Sequence, residues 1–168
     1  RDYPSGIFVP EGGTDAEGIA GVAQLVADLS DHGPRFERLV LPVGTGGTMA
    51  GVLLALKQAC HVVGVSALKR VEAQQNLIDS TTSGRLHEGV SFEVLPETQF
   101  GGYAACPNAL VQRINDLEAM FDLKLEPIYT AKAVITALDL VQAQSRFSET
   151  LVLHTGGLQG RRGFAALA

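Results

Sequence analysis

The residues whose types and spacing most clearly permit chemistry are the glycines and threonines of Gly44-Thr45-Gly46-Gly47-Thr48, which follow the apolar run Leu39-Val40-Leu41-Pro42-Val43. A buried strand entering a glycine-rich turn that opens a helix presents several backbone N–H groups at the positive end of the helix dipole. Glycine lets an anion approach that backbone closely, and Thr45 and Thr48 can add hydroxyl donors. This chemistry suits a phosphate. A strand-to-helix turn also takes glycine for sharp geometry alone, and the pattern by itself leaves both uses open. Two familiar phosphate loops match badly. A Walker A loop needs a lysine after its last glycine, yet Met49 follows Thr48 and no lysine is near; a dinucleotide fingerprint needs a third glycine where Met49 stands. A compact cup for one terminal phosphate fits better than a diphosphate site.

Other chemically capable residues are weaker signals. Tyr103 and Tyr129 read either as amphipathic core residues or as polar groups beside a ligand. His154 closes an apolar run and reads as a hydrogen-bonded structural residue. Cys60, Cys106 and the histidines and carboxylates lack metal-type spacing, so no metal site is expected. Arg161-Arg162 reads as a solvated pair at a final helix.

Alternating strands and helices must position these groups. Ile7-Phe8-Val9 reads as a strand, and Thr14 or Asp15 caps a helix with apolar residues Ile19, Val22, Ala23, Val26 and Leu29 at helical spacing, ended by Gly33-Pro34. Leu39-Val40-Leu41 has the continuous apolar character of a strand buried on both faces. A helix from about Thr48 to Cys60 follows the glycine turn, then a strand at Val62-Val63-Gly64-Val65 and a helix from about Arg70 to Asp79. Ser80 to Gly84 reads as a loop and Phe92-Glu93-Val94 as an edge strand. Pro107 suits the first turn of a helix reaching about Phe121. A helix over roughly Ala131 to Gln144 and a buried strand from Thr150 to Leu153 lead into a second glycine turn, Gly156-Gly157. Such alternation predicts one α/β domain over residues 1–168, a parallel sheet wrapped by helices on both faces, with a ligand at the carboxyl ends of the strands.

Composition narrows the function classes. Hydrophobic residues make up 46% and charged residues 18% of the 168, enough for a packed core and too apolar for a disordered chain. The net charge of -5, with no Lys or Arg run longer than two, gives no footprint for nucleic acid. Apolar stretches stop near ten residues, short of a membrane span. Two cysteines are too few for a disulfide scaffold, which favours a reduced, cytoplasmic setting. The opening Arg1-Asp2-Tyr3-Pro4 lacks an initiating Met and predicts a truncated or processed chain.

Five segments together resemble the fold-type-II pyridoxal-phosphate (PLP) enzymes, in particular the D-cysteine desulfhydrase and 1-aminocyclopropane-1-carboxylate deaminase group. They are Val9-Pro10-Glu11-Gly12-Gly13, Gly44-Thr45-Gly46-Gly47-Thr48-Met49-Ala50-Gly51, Gly102-Tyr103, Glu126-Pro127-Ile128-Tyr129-Thr130-Ala131-Lys132 and His154-Thr155-Gly156-Gly157-Leu158-Gln159-Gly160. Each alone is weak; all five in the family's order are specific. The resemblance implies the large domain of a tryptophan synthase β-like fold, incomplete here, with the N-terminal part and small domain absent. It also implies that Gly44, Thr45, Gly46, Gly47 and Thr48 bind the PLP phosphate, that Tyr103 and Tyr129 lie by an amino-acid substrate, and that Thr155 sits beside the pyridine nitrogen. A hydroxyl there, unlike a carboxylate, leaves the ring a weaker electron sink.

Two departures shape the functional reading. Deaminases of this group carry a glutamate after the Pro-x-Tyr tyrosine, and Thr130 stands there, which tilts toward a desulfhydrase-like member. The family's Gly-Asn-Lys segment with its Schiff-base lysine has no counterpart. Of the four lysines, Lys57 and Lys124 fall at polar helix-side or loop positions, Lys69 begins a helix, and Lys132 belongs to the family's tyrosine segment in another role. The expectation is the C-terminal, cofactor-cradling part of an enzyme that degrades D-cysteine or a related amino acid to a keto acid and ammonia, with sulfide for a thiol. The full-length enzyme is expected to be a homodimer. The alternatives are a 1-aminocyclopropane-1-carboxylate deaminase, another fold-type-II enzyme such as a threonine or cysteine synthase, or a non-catalytic fragment.

Overall fold

The computed structural model describes residues 6–143 and 149–167. The expectations for Arg1 to Pro4, and for Gln144 at the end of the last helix, lie outside that range. The elements are α1 (Ala16–His32), β1 (Arg38–Val43), α2 (Gly47–Ala55), β2 (Cys60–Ser66), α3 (Glu72–Thr82), β3 (Val90–Pro96), α4 (Asn108–Phe121), α5 (Thr130–Ala143) and β4 (Thr150–Val152). All strand pairs are parallel, in the order β3-β2-β1-β4. The predicted parallel α/β sheet is therefore present. Strand β1 is the pivot: β2 and β3 extend to one side of it and β4 to the other. A parallel sheet opens its ligand crevice at such a reversal, beyond the carboxyl ends of the two diverging strands.

The continuous apolar run of β1 is buried along its whole length, as a strand covered on both faces must be. Leu39, Leu41 and Val43 pack with Val26 of α1, Met49 and Val52 of α2 and Ile78 of α3. Val40 points the other way, with Val63 and Val65 of β2, onto Ala133 and Ala137 of α5. Beyond α5, Leu110, Ile114 and Leu117 of α4 close a second apolar cluster with Leu125, Ala131 and Ile135. Fully burying each such leucine or isoleucine is worth about 2 kcal/mol. Helix α1 starts where its side-chain cap predicts: Asp15 Oδ1 accepts the Gly18 N–H at 2.8 Å.

Several local expectations are corrected. Residues 6–10 form no strand, and Ile7, Phe8 and Val9 are 92%, 87% and 69% exposed, since no neighbouring strand pairs with them. Helix α2 ends at Ala55, because Cys60 already pairs with Val90 in the β2–β3 ladder. Helix α3 begins at Glu72 and continues through Ser80 to Thr82, which places Lys69 in the preceding loop. The Ser80 hydroxyl donates to Leu77 C=O and the Thr82 hydroxyl to Ile78 C=O, which turns residues that favour loops into helix ends. Strand β4 is a half-buried edge strand rather than a buried one. Among the described residues no helix is long and apolar enough to cross a membrane.

Candidate functional site

The glycine turn leaves β1 at its carboxyl end. Gly46 has φ +108° and caps α2, and its backbone is buried. A Cβ there would stand 3.3 Å from both Ile78 and Leu77 in a conformation that L residues rarely adopt, so only glycine suits the position. The first intrahelical bond runs from Ala50 N–H to Gly46 C=O at 2.9 Å, which leaves the amides of Gly47, Thr48 and Met49 facing out of the helix N-terminus. Gly44 and Thr48 are exposed at the rim. The Thr45 hydroxyl lies 2.6 Å from that of Thr14, and a Cβ on Gly12 would come within 2.7 Å of it, so the Gly12-Gly13 segment backs the cup. Beneath it, Gln74 Nε2 donates to Gly44 C=O at 3.1 Å and to Ser66 Oγ at 3.0 Å.

Tyr129 stands over this turn, its ring and hydroxyl 3.8 and 3.9 Å from where a Gly44 Cβ would be. Its backbone is fixed by Glu126. That buried carboxylate accepts the amides of Ile128 at 2.8 Å and of Tyr129 and Thr130 at 2.6 Å, fixing the turn that leads into α5 and satisfying its first donor. Thr130, at the position of the deaminase glutamate, turns its hydroxyl to the Glu126 amide at 3.0 Å and is buried. Tyr103 meets Tyr129 edge-on, with ring centroids 6.2 Å apart and planes at 67°. Burial, then the adjacent Tyr103, then Glu126 and Glu11 push the Tyr129 phenol up to about 12. It therefore keeps its proton at neutral pH.

Thr155 follows β4, at the same carboxyl end of the parallel strands as the glycine turn, and is exposed. Among the described residues no hydrogen bond joins it to the cup. The link is indirect: a Cβ on Gly157 would lie 3.3 Å from Glu126 Cγ, so the second glycine turn rests against the carboxylate that sets Tyr129. His154 is tied down as a structural residue, with Nε2 3.0 Å from Lys124 C=O and Nδ1 accepting Gly156 N–H at 3.2 Å. Arg161 is not a solvated residue: it pairs with Glu118 and donates to the carbonyls of Leu125 and Leu167. Of the lysines, Lys57 and Lys124 are exposed, Lys69 lays its stem along Gly102, and Lys132 is buried against Glu97 and Gly102 C=O.

The five segments thus meet at one end of the sheet. The family of pyridoxal-phosphate dependent enzymes matches residues 1–156. This chain belongs to that family. Among its relatives, a Pyrococcus abyssi (strain GE5 / Orsay) protein provisionally named 1-aminocyclopropane-1-carboxylate deaminase is 30% identical over 91% of this chain and 50% of its own. A D-cysteine desulfhydrase of Serratia proteamaculans (strain 568) is 29% identical over 89% of this chain and 49% of its own. The crystal structure of an ACC deaminase homologue superposes with a TM-score of 0.77 at 28% identity, over 91% of this chain and 50% of that one. A threonine deaminase of Solanum lycopersicum shares the fold, with a TM-score of 0.55 at 16% identity over 96% of this chain and 51% of that one. The chain spans about half the length of the relatives it matches.

The residues present fit the family's cofactor. The cup has glycine at Gly46 and Gly47, where an added Cβ would collide with Ile78, Leu77 and Thr14 behind it, and has outward amides and no carboxylate among residues 44–48, the donor set a phosphate needs. Sequence reasoning missed the supports behind it: Glu126, Gln74, Thr14 and the Glu97–Lys132 pair. Glu126 carried a signal, standing four residues before a helix as an acceptor for the amides that lead into it. The others act across the fold and left no local pattern.

Proposed function

We propose that this chain is the cofactor-cradling part, one α/β portion of a large domain, of a PLP-dependent enzyme that degrades D-cysteine or a related amino acid. The products are a keto acid and ammonia, with sulfide from a thiol substrate. The observation that carries the reading is the convergence of the cup, both tyrosines and the Thr155 turn at the reversal point of the sheet. The amides at Gly44 to Thr48 would hold the phosphate at the α2 N-terminus. Thr155 would offer a hydroxyl to the pyridine nitrogen. Tyr103 and Tyr129 would flank the substrate, with Tyr129 donating a hydrogen bond from a phenol that stays protonated. When bound, the cofactor supplies the electron sink for the bonds broken at the substrate's α-carbon. The Schiff-base lysine would come from outside residues 1–168, since Lys132 is committed to a buried pair.

Thr130 supports the desulfhydrase side of the family, because its buried hydroxyl is engaged with the Glu126 amide where the deaminases place a glutamate. A deaminase acting on 1-aminocyclopropane-1-carboxylate is the second reading, supported by the relatives bearing that name. A reduced, cytoplasmic setting accords with the two free cysteines. The test is PLP binding by the chain, followed through quenching of tyrosine emission, with Gly46→Val as the variant. Binding is expected to weaken by tenfold or more, on the order of one lost phosphate anchor, while pyridoxal without its phosphate does not distinguish the two proteins. Equal PLP binding by parent and variant would remove the cup from the proposal. Turnover of D-cysteine against 1-aminocyclopropane-1-carboxylate by the complete enzyme separates the two readings.

A further inference from the structure

We propose that Lys132 is a positioning residue whose buried ammonium, shared between Glu97 and the Gly102 carbonyl, fixes Tyr103 edge-on to Tyr129; the inference rests on the reading that these tyrosines flank the substrate. Lys132 lies three residues after Tyr129, so both point from the same side of the start of α5. It is 2% exposed, and an ammonium that deep is costly unless well paired. Its Nζ donates to Gly102 C=O at 2.7 Å and lies 3.4 Å from Glu97 Oε2. The two Glu97 oxygens accept the Phe100 and Gly102 amides at 2.5 Å each. Both the N–H and the C=O of Gly102 are thus gripped by one ion pair.

The loop needs that grip. Gly101 and Gly102 have φ +98° and +93°, Ala104 has φ +57°, and the local backbone bond across the turn, Ala105 N–H to Gly102 C=O, is long at 3.3 Å. Tyr103 is 58% exposed and has little packing of its own to fix it. Two charged residues about the start of α5 therefore set the tyrosines, Glu126 before it fixing Tyr129 and Lys132 in its first turn fixing Tyr103. A lysine used in this way is unavailable as a nucleophile.

The chain has no tryptophan and three tyrosines, so its near-ultraviolet circular dichroism reports mainly on tyrosine. Lys132→Met is expected to lose as much of that signal as Tyr103→Phe, and the double variant no more than either. Should Lys132→Met fail to fold, Lys132→Gln, which is one bond shorter and uncharged and so lacks the ion pair with Glu97, is read in the same way. In the parent, hydrogen exchange of residues 97–105 is expected to match the first turn of α5, and in the folded lysine variant to rise by on the order of tenfold there and nowhere else. A folded variant with an unchanged tyrosine signal, a uniform rise in exchange, or a parent loop exchanging far ahead of α5 would overturn the proposal. PLP binding is measured alongside: if the parent does not bind PLP while the clamp signals behave as described, the functional reading fails and the positioning role stands.

Discussion

On one side of the crevice, Gly44 to Thr48 are held by neutral hydrogen bonds from Thr14 and Gln74; on the other, Tyr103 and Tyr129 are held by three buried charges, Glu126, Glu97 and Lys132. The cup has no carboxylate among its own residues, and its donors are backbone amides that never titrate. The tyrosine wall presents flexible side chains and loop peptide, and charges grip these with stronger hydrogen bonds than neutral groups provide. Acid should therefore disturb the wall while leaving the cup's donors intact.

The largest effect is expected from Glu126→Ala, which strips the Ile128, Tyr129 and Thr130 amides of their acceptor. A loss of ~3 kcal/mol of unfolding free energy is expected in urea denaturation, together with loss of the coupled tyrosine signal. Stability unchanged to within measurement would mean that water serves these amides equally well.

Next comes Glu97→Gln, with an expected cost of ~2 kcal/mol near neutral pH. Burial pushes the Glu97 carboxyl up, but the Phe100 and Gly102 amides and Lys132 outweigh it and hold it below its ordinary 4.5. A carboxylate lowered on folding contributes stability that is present above 4.5 and is lost as pH falls through its folded value. Parent stability should therefore decline on acidification below 4.5, and Glu97→Gln should flatten that decline. Parallel acid limbs in the two proteins would assign the pH dependence elsewhere, for instance to Glu118, a second carboxylate held low.

The smallest effect is expected on the cup side. Gln74→Leu removes the donor to Gly44 C=O, a loss of ~1 kcal/mol. The effect should be independent of acid and accompanied by weaker PLP binding, measured by the same quenching. If the Gln74→Leu loss instead varied with pH as Glu97→Gln does, the contrast between the two sides would collapse.

What the sequence makes legible follows from how local each determinant is. Strands β1 and β2 announce themselves because burial on both faces demands an unbroken apolar run, and α1 because Asp15 caps it within three residues. The glycine cup is legible for the same reason. Lys132 and Glu97 stand 35 residues apart, and their union is a product of the fold. Ile7-Phe8-Val9 misleads in the opposite sense: its residue types suit a strand, but a strand exists only where a neighbour supplies hydrogen bonds. Ser80 to Thr82 read as a loop because their hydroxyls compete for backbone groups, and here those same bonds extend the helix.

The placement of β4 beside β1 also bears on how the chain folds. Strands β1, β2 and β3 pair through successive short crossovers, whereas Arg38 must wait for Thr150, more than a hundred residues later. Loop-closure entropy grows with the logarithm of length, which makes this pairing costlier than the β1–β2 crossover by ~1.5 kcal/mol. Contacts of such long range tend to form late, so the glycine turn after β1 is expected to be in place before the turn bearing Thr155 arrives to complete the crevice.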